Sequence, residues 1–385
     1  MPEDMRIAIV GAGVGGLAAG IALRRAGFDV RVYERAPAIA PVGFGLLIQP
    51  NGAKALHLLG LGPALERISP RLRAVVMRDE AGELLSDIET DPLEQATGLR
   101  PFPVARADLF GVLAEGFGLD RVTLGAECVG VEQSAEEATI HFADGRSATA
   151  DLVVGGDGLR SVVRGHVVAD AATRFLWAGF ETLVPWRAEI TPKDEFTFWI
   201  GDGRRAAAMP VAGDRLYAFF DFPPDAADVH EAPDWMAELR AIYGDWAPGV
   251  RALLDGVDPA LLHPARYYDL DPIATYVNGR VVLIGDAAHA TTPSLSQGAS
   301  QAIEDAVVLA HYLQTTRLSL ADSLARYDRE RRERTQGIVL RAREMTQKIT
   351  AVDEGATRAW KDGLRRGSRD YLGIAEEITL TGPMR

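Results

Sequence analysis

Residues 5–20 read Met-Arg-Ile-Ala-Ile-Val-Gly-Ala-Gly-Val-Gly-Gly-Leu-Ala-Ala-Gly. A short apolar run passes into Gly11-x-Gly13-x-x-Gly16 and then into a helical pattern. Few folds accept that spacing. Gly11 permits a tight turn, Gly13 lets backbone approach a pyrophosphate, and Gly16 lets helix and strand pack closely. Free N–H groups and the helix dipole at such a turn favour an anion. A second strand, Asp29-Val-Arg-Val-Tyr-Glu34, ends in an acid 18 residues beyond Gly16. That acid is placed to take two ribose hydroxyls. Strand, turn, helix and terminal acid in this register predict a dinucleotide-binding βαβ unit over 5–34. The competing use of these residues is a glycine-rich turn in an ordinary α/β domain.

At 385 residues the chain is too long for one small core, so two domains or one large interleaved unit is expected. Lys and Arg total 41 against 54 Asp and Glu, a net charge of −13. Bulk electrostatics therefore disfavour nucleic acid and anionic membrane as partners, while one Arg can still dominate a pocket for a small anion. Cys128 is the chain's one cysteine, so no intrachain disulfide forms, which fits a reducing compartment. It lies in a strand-like run and is expected in the core rather than as a nucleophile. No signal peptide is evident and no apolar run reaches a membrane-spanning length, so a cytoplasmic protein is expected.

Further along, 72–78 and 84–88 read as a hairpin around an Ala-Gly turn. A helix starts at Arg106, and 121–154 alternates strands and turns with Asp144-Gly145 as a hairpin signal. Between 175 and 222 lie three of the six tryptophans and seven of the thirteen phenylalanines. The period there is β, open between a plain β core and a sheet lining an aromatic pocket. A helical patch follows at 234–255. The α/β signature returns with Arg280-Val-Val-Leu-Ile-Gly-Asp286, helix dominates 301–349, and the tail reads as one more helix and an extended end.

Three distant segments point at one cofactor: the glycine turn with Glu34; Asp157-Gly158-Leu-Arg-Ser161 after the strand at 152–155; and Gly285-Asp286-Ala-Ala-His289-x-x-x-Pro293 after the strand at 281–284. Asp286 at a strand end can hold a ribityl hydroxyl, and a helix starting near Gln297-Gly298 offers N–H groups to the electron-rich edge of a flavin. Taken singly, each Asp is as well suited to capping a helix.

With these motifs the chain resembles the FAD-dependent single-component aromatic hydroxylases, the family of para-hydroxybenzoate hydroxylase, over almost its whole length. The resemblance implies an α/β fold. A discontinuous Rossmann-like FAD-binding domain (1–174 and 266–350) would carry an inserted β-sheet substrate domain (175–265, joined by 72–100) and a C-terminal helical tail (351–385). It implies FAD, with NADH or NADPH as co-substrate. Gly11, Gly13 and Gly16 would bind the pyrophosphate and Glu34 the adenosine ribose. Asp157 and Gly158 would serve FAD and the nicotinamide cofactor, and Asp286 the ribityl chain. Arg35, Arg106, Val129, Gln297, Gly298 and Ala299 would complete the cofactor contacts. Within the family the likeness is greatest to the urate-hydroxylating branch, through Pro41-Val-Gly, Pro50-Asn-Gly, Arg204-Arg205, Met209-Pro-Val, Tyr217-Ala-Phe-Phe-Asp221, Trp246-Ala-Pro, Thr291-Thr-Pro293 and Thr381-Gly-Pro. That branch places functional residues at Arg205, Tyr217 and an Asp where this chain has Ser294; the Gly expected before Gln297 is Ser296.

The implied reaction is NAD(P)H- and O2-dependent hydroxylation of an electron-rich ring through a flavin 4a-hydroperoxide. Arg205 would fix a substrate oxygen, Tyr217 would hydrogen-bond the ring's substituents, and the backbone from Pro293 and Ser294 to Gly298 would steady the hydroperoxide. Urate, a related N-heterocycle, a hydroxynicotinate and a phenolic acid all suit such a pocket. A flavin dehydrogenase without oxygen insertion and a non-catalytic flavin-binding sensor are the competing classes. On the residues alone, Arg205 also reads as a surface arginine and Tyr217 as core. His289 is expected to serve local structure, Glu304-Asp305 the helix dipole, and the run 327–334 a solvated helix face. No zinc-like cluster, nucleophile elbow or phosphate-loop lysine motif is present, and a monomer or homodimer is expected.

Overall fold

The computed structural model describes residues 5–38, 43–315, 317–350, 354–367 and 370–384; Pro41 and Val42, part of the urate-branch likeness, lie outside the described residues. Arg6–Val10 is flanked in parallel by Asp29–Tyr33 and by Leu152–Gly155, with Ile7 opposite both Val30 and Leu152. All four residues of Leu152–Gly155 are buried, as a strand covered on both faces requires. Val281–Leu283 adds in parallel beyond Leu152–Gly155, and Val122–Thr123 beyond Asp29–Tyr33. A single sheet thus takes strands from both sides of the stretch 173–270, so the Rossmann-like unit is discontinuous in sequence.

That intervening stretch builds a second sheet. Its order is His263–Leu270, Thr173–Pro185, Arg215–Phe222, Arg205–Val211, Glu195–Ile200, Ala74–Asp79 and Leu84–Glu89. The last two form the hairpin expected around Ala81-Gly82, and Ala74–Asp79 joins Glu195–Ile200 in parallel. Alternation along Arg215–Phe222 sorts its side chains. Leu216, Ala218, Phe220 and Phe222 pack with Leu239, Tyr243, Val250 and Leu253 of the helices Trp235–Tyr243 and Pro248–Gly256. Tyr217 and Phe219 face the other way. The aromatic stretch therefore supplies both a β core and a pocket wall, one on each face.

Two helices, Gly298–Gln314 and Leu320–Ile349, pack against each other, and the first also packs against Val14–Arg25. Here two expectations are corrected. The run 327–334 is not simply a solvated face: Tyr327 and Arg331 are fully buried. Arg331 donates from Nε to Asp305 Oδ1 and from Nη1 to Glu304 Oε2, each at 2.6 Å, and Arg334 grips Glu304 through two bonds of 2.9 Å. Glu304 and Asp305 accordingly serve an inward ion cluster rather than the helix dipole. Periodicity gives charged residues no inward direction, and only the packed partner helix supplies one. The second correction is the tail, which holds two helices, Glu354–Arg365 and Asp370–Leu380, instead of one and an extended end.

Burial alone would raise the Glu304 and Asp305 carboxyls. The groups beside them, Arg331 and Arg334 for Glu304 and His289 and Arg331 for Asp305, hold both below the usual range. Their stabilisation is therefore complete above about pH 4 and is lost as pH falls through the lowered values. Replacing Arg331 by Ala leaves two buried carboxylates short of a partner. It should lower unfolding free energy by about 3–5 kcal/mol in urea titrations at pH 7 and blunt the acid loss. An unchanged urea midpoint contradicts this role.

Candidate active site

A cavity of about 540 Å³ runs from the glycine turn to the inner face of the second sheet, a size proper to a ligand site. At one end its wall is backbone: Gly13, Val14, Gly15, Gly156, Gly158, Gly285, Asp286, Gly298 and Ala299. The glycines there are demanded by geometry. Gly11 holds φ at +101°, and a Cβ on Gly16 would stand 1.9 Å from the Gly11 carbonyl oxygen, whereas Gly13 faces open space. The helices Val14–Arg25 and Gly298–Gln314 begin at this wall, and neither has a side-chain cap. Their N-terminal N–H groups are left to an anion or an electron-rich ring edge. The residues present fit FAD.

Of the residues singled out from sequence, Gly13, Arg106, Gly158, Asp286, Gly298, Ala299, Arg205, Tyr217, Pro293 and Ser294 line this one cavity. The others stand outside its wall. Gly11 and Gly16 shape the turn from behind. Glu34 accepts from the Ala12 and Ala36 N–H groups at 2.8 and 2.9 Å, bracing the turn. Arg35 and Val129 are exposed. Asp157 accepts from Ser161 Oγ at 2.5 Å and from the Val162 and Val163 N–H groups, a helix-start role. Gln297 is buried against Asn51 and Gln301. His289 is 3% exposed and bonded through Nε2 to Asp305 Oδ2 at 2.6 Å, a structural placement. Cys128 is buried, and burial pushes its thiol up to about 11, so it stays protonated.

Two further glycines make room for side chains at this site. A Cβ on Gly45 would lie 2.2 Å from Tyr217 Cγ, and one on Gly52 2.6 Å from Ser300 Oγ.

The opposite end of the cavity is aromatic and polar. Phe196, Phe198 and Phe219 line it with Met77, Ile88, Ile200 and Met209, and Trp360 and Leu364 close it from the C-terminal region. Arg205 is buried, not a surface residue, and meets Asp221 directly across the strand pair at 2.5 Å. Burial pushes the Asp221 carboxyl above its usual value while Arg205 opposes the rise. Arg205 Nε has no hydrogen-bond partner among the described residues. Asp221 takes only Nη2, which leaves Nη1 for a ligand oxygen.

Sequence reasoning missed Glu181. It lines the cavity, and its Oε1 accepts from both the Tyr217 hydroxyl at 2.8 Å and the Tyr267 hydroxyl at 2.7 Å. Burial, with Glu181 next in effect, raises both phenols well above 10, so they remain donors. Tyr217 toward a ligand is therefore an acceptor. The signal was there: Glu181 is the lone acid in the apolar run Phe175–Pro185. Ser294 is placed similarly. Thr346 donates to the Ala342 carbonyl, so the bonds of 2.9 Å from Thr292 and Ser294 to Thr346 take their hydroxyl protons.

Replacing Gly45 by Ala should push Tyr217 off Glu181, cost about 1–3 kcal/mol of stability and weaken aromatic ligands while FAD stays bound. Unchanged ligand affinity in a folded Gly45→Ala protein contradicts this packing.

Comparison with known proteins agrees with this geometry. The FAD binding domain family model matches residues 4–342. FAD-dependent urate hydroxylase of Klebsiella pneumoniae is 36% identical over 386 residues, covering 99% of this chain and all of that one. The 3-amino-4-hydroxybenzoate 2-monooxygenase of Streptomyces cremeus is 37% identical over 384 residues, 97% of this chain and 94% of that one. The crystal structure of K. pneumoniae HpxO complexed with FAD and uric acid superposes with a TM-score of 0.92 at 33% identity, over 99% and 98% of the two chains. The chain therefore belongs to the FAD binding domain family, as a flavoprotein monooxygenase of aromatic and heteroaromatic rings with FAD as its cofactor.

Proposed function

We propose that the chain hydroxylates urate or a related N-heterocycle, using NADH or NADPH and O2. The observation that carries this reading is the full-length similarity to urate hydroxylase together with a cavity joining the FAD-fitting backbone wall to Arg205 and Tyr217. Bound FAD supplies the redox chemistry that inserts one oxygen atom of O2. The chain's residues do the rest. Gly11, Gly13 and Gly16 shape the pyrophosphate turn, and Gly158, Asp286, Gln297, Gly298 and Ala299 form or brace the flavin's bed. Arg106 enters from its own helix start. Glu34, Arg35, Val129 and Asp157 are assigned to the cofactor beyond the cavity. The Arg205 guanidinium donates to a ring oxygen, and Tyr217 and Ser294 accept from ring N–H or O–H groups. Pro293 holds the loop between bed and ring, and the phenylalanine wall excludes water.

A second reading takes its support from the Streptomyces relative and from Ser294, which replaces the urate branch's acid: an aminohydroxybenzoate-type phenolic acid as substrate. Residues 1–174 and 266–350 are assigned to the cofactor unit and 175–265 to the substrate unit, though the strand His263–Leu270 straddles their border. Among the described residues no helix is long and apolar enough to cross a membrane. The single cysteine fits a cytoplasmic setting. A monomer or homodimer is the assembly proposed.

NADH or NADPH consumption by the FAD-loaded protein should rise strongly with urate. Arg205→Ala should raise KM for urate about ten- to hundredfold, the loss of one charged hydrogen bond, with retained FAD. No stimulation by urate removes urate from the first reading and leaves its related N-heterocycles, and stimulation by 3-amino-4-hydroxybenzoate alone establishes the second.

A further inference from the structure

The polar groups on the substrate wall are unevenly divided. Tyr217 and Tyr267 direct their protons to Glu181 Oε1, and Ser294 directs its proton to Thr346. Their oxygens are left as acceptors. Glu181 is half-buried in the cavity wall, and its Oε2 has no hydrogen-bond partner among the described residues. The buried donors facing these acceptors are the Arg205 guanidinium, of which Asp221 takes Nη2, and the Thr291 hydroxyl. The charge of Arg205 is already matched by Asp221 at 2.5 Å. Arg266, which also lines the cavity, is exposed.

A ligand complementary to the Glu181 side of this wall presents donors to it. A ring in its lactam form does so, with N–H groups for Glu181, Tyr217 and Ser294 and one carbonyl for Arg205. A carboxylate does not, because it only accepts and carries a charge that Glu181 repels.

We infer that Glu181 is the specificity-determining residue of this site: its free oxygen accepts a hydrogen bond from a ring N–H or O–H, selecting N–H-bearing heteroaromatic lactams over aromatic carboxylates. The inference rests on the hydroxylase reading of the cavity and narrows its substrate class. It also gives the chain a cavity carboxylate in place of the one absent at Ser294, supplied from the opposite, sheet-built wall. Binding alone is assigned to Glu181, so no bond is made or broken.

The test uses the FAD-loaded protein and the absorbance change of its flavin on titration with urate, 2-hydroxypyridine (largely the N–H lactam in water), 4-hydroxybenzoate and 3-amino-4-hydroxybenzoate. The wild type should prefer the two lactams. In Glu181→Gln the amide oxygen can still accept from both tyrosines, and the amide N–H2 turns to the cavity. Lactam Kd values should rise about tenfold or more and those of the benzoates should fall, with FAD content unchanged. Glu181→Asp, which keeps the charge but withdraws the oxygen, should weaken the lactams without helping the benzoates. It serves as the test if the Gln variant fails to fold.

Equal changes for all four ligands would mark Glu181 as merely structural and overturn the inference, as would a wild type that prefers benzoates or binds none of the four. A wild type that binds 2-hydroxypyridine but not urate removes urate as the substrate and leaves the role of Glu181 standing.

Discussion

Arg331 has no contact with solvent, and the cofactor end of the molecule is arranged around what that requires. A buried guanidinium is tolerated only with its donors met, and here Glu304, Asp305 and Gln301 meet them. Each acid then reaches onward. Asp305 Oδ2 takes the Gly285 N–H at 2.8 Å and His289 Nε2, fixing the turn that carries Asp286. Glu304 Oε1 takes Asn51 Nδ2 at 2.7 Å, tying in the helix Pro50–Leu58, and Asn51 passes to Gln297 at the start of the helix Gly298–Gln314. A buried ion cluster adds little net stability over well-packed apolar groups. What this one adds is direction, since each acid aims one oxygen at a different element bordering the wall, Asp305 at the Gly285 turn and Glu304 at Asn51. That wall holds the cofactor through N–H groups, and those act only if the helix starts stay where they are.

The second sheet imposes the complementary constraint. A strand has two faces, and alternation along Arg215–Phe222 gives one to the helices behind and one to the cavity. Placing Tyr217 on the cavity face next to the strand Gly45–Ile48 is possible only because residue 45 has no Cβ. Cross-strand register then sets Arg205 opposite Asp221, so the arginine at the substrate wall arrives already neutralised. The site reads as a polar wall whose arginine is already paired and whose Glu181 keeps an acceptor for the ligand, rather than as a cationic trap for anions.

Local features were legible in the sequence. The glycine turn, the strands feeding Asp157 and Asp286, the 74–89 hairpin and the aromatic sheet all follow from spacing, turn chemistry and period, each confined to a few neighbouring residues. Less legible was anything decided by a distant partner. Arg331 and Glu304 look like solvated helix charges until the two helices pack. The bonds that Asp157 makes to Ser161 and the next turn likewise appear only once the helix start folds back on it. Glu181 announces itself only as an acid where hydrophobic residues prevail, and its two tyrosine partners come from strands 36 and 86 residues away. The second tail helix was missed because its packing partners lie elsewhere in the chain, among them Arg341, whose guanidinium grips Glu377 at 2.9 Å.

The fold joins a flavin bed and an aromatic-lined substrate wall in one cavity, so that an oxygen atom passes from O2 to the substrate ring. Isotope labelling addresses that most directly. The FAD-loaded protein is turned over with NADH or NADPH and urate under 18O2 in ordinary water, and the first-formed product is examined by mass spectrometry alongside the reverse labelling with H218O. The account predicts one 18O atom per product molecule from the gas and none incorporated enzymatically from water. Product that takes its new oxygen from water, or substrate oxidised with no new oxygen at all, would contradict it.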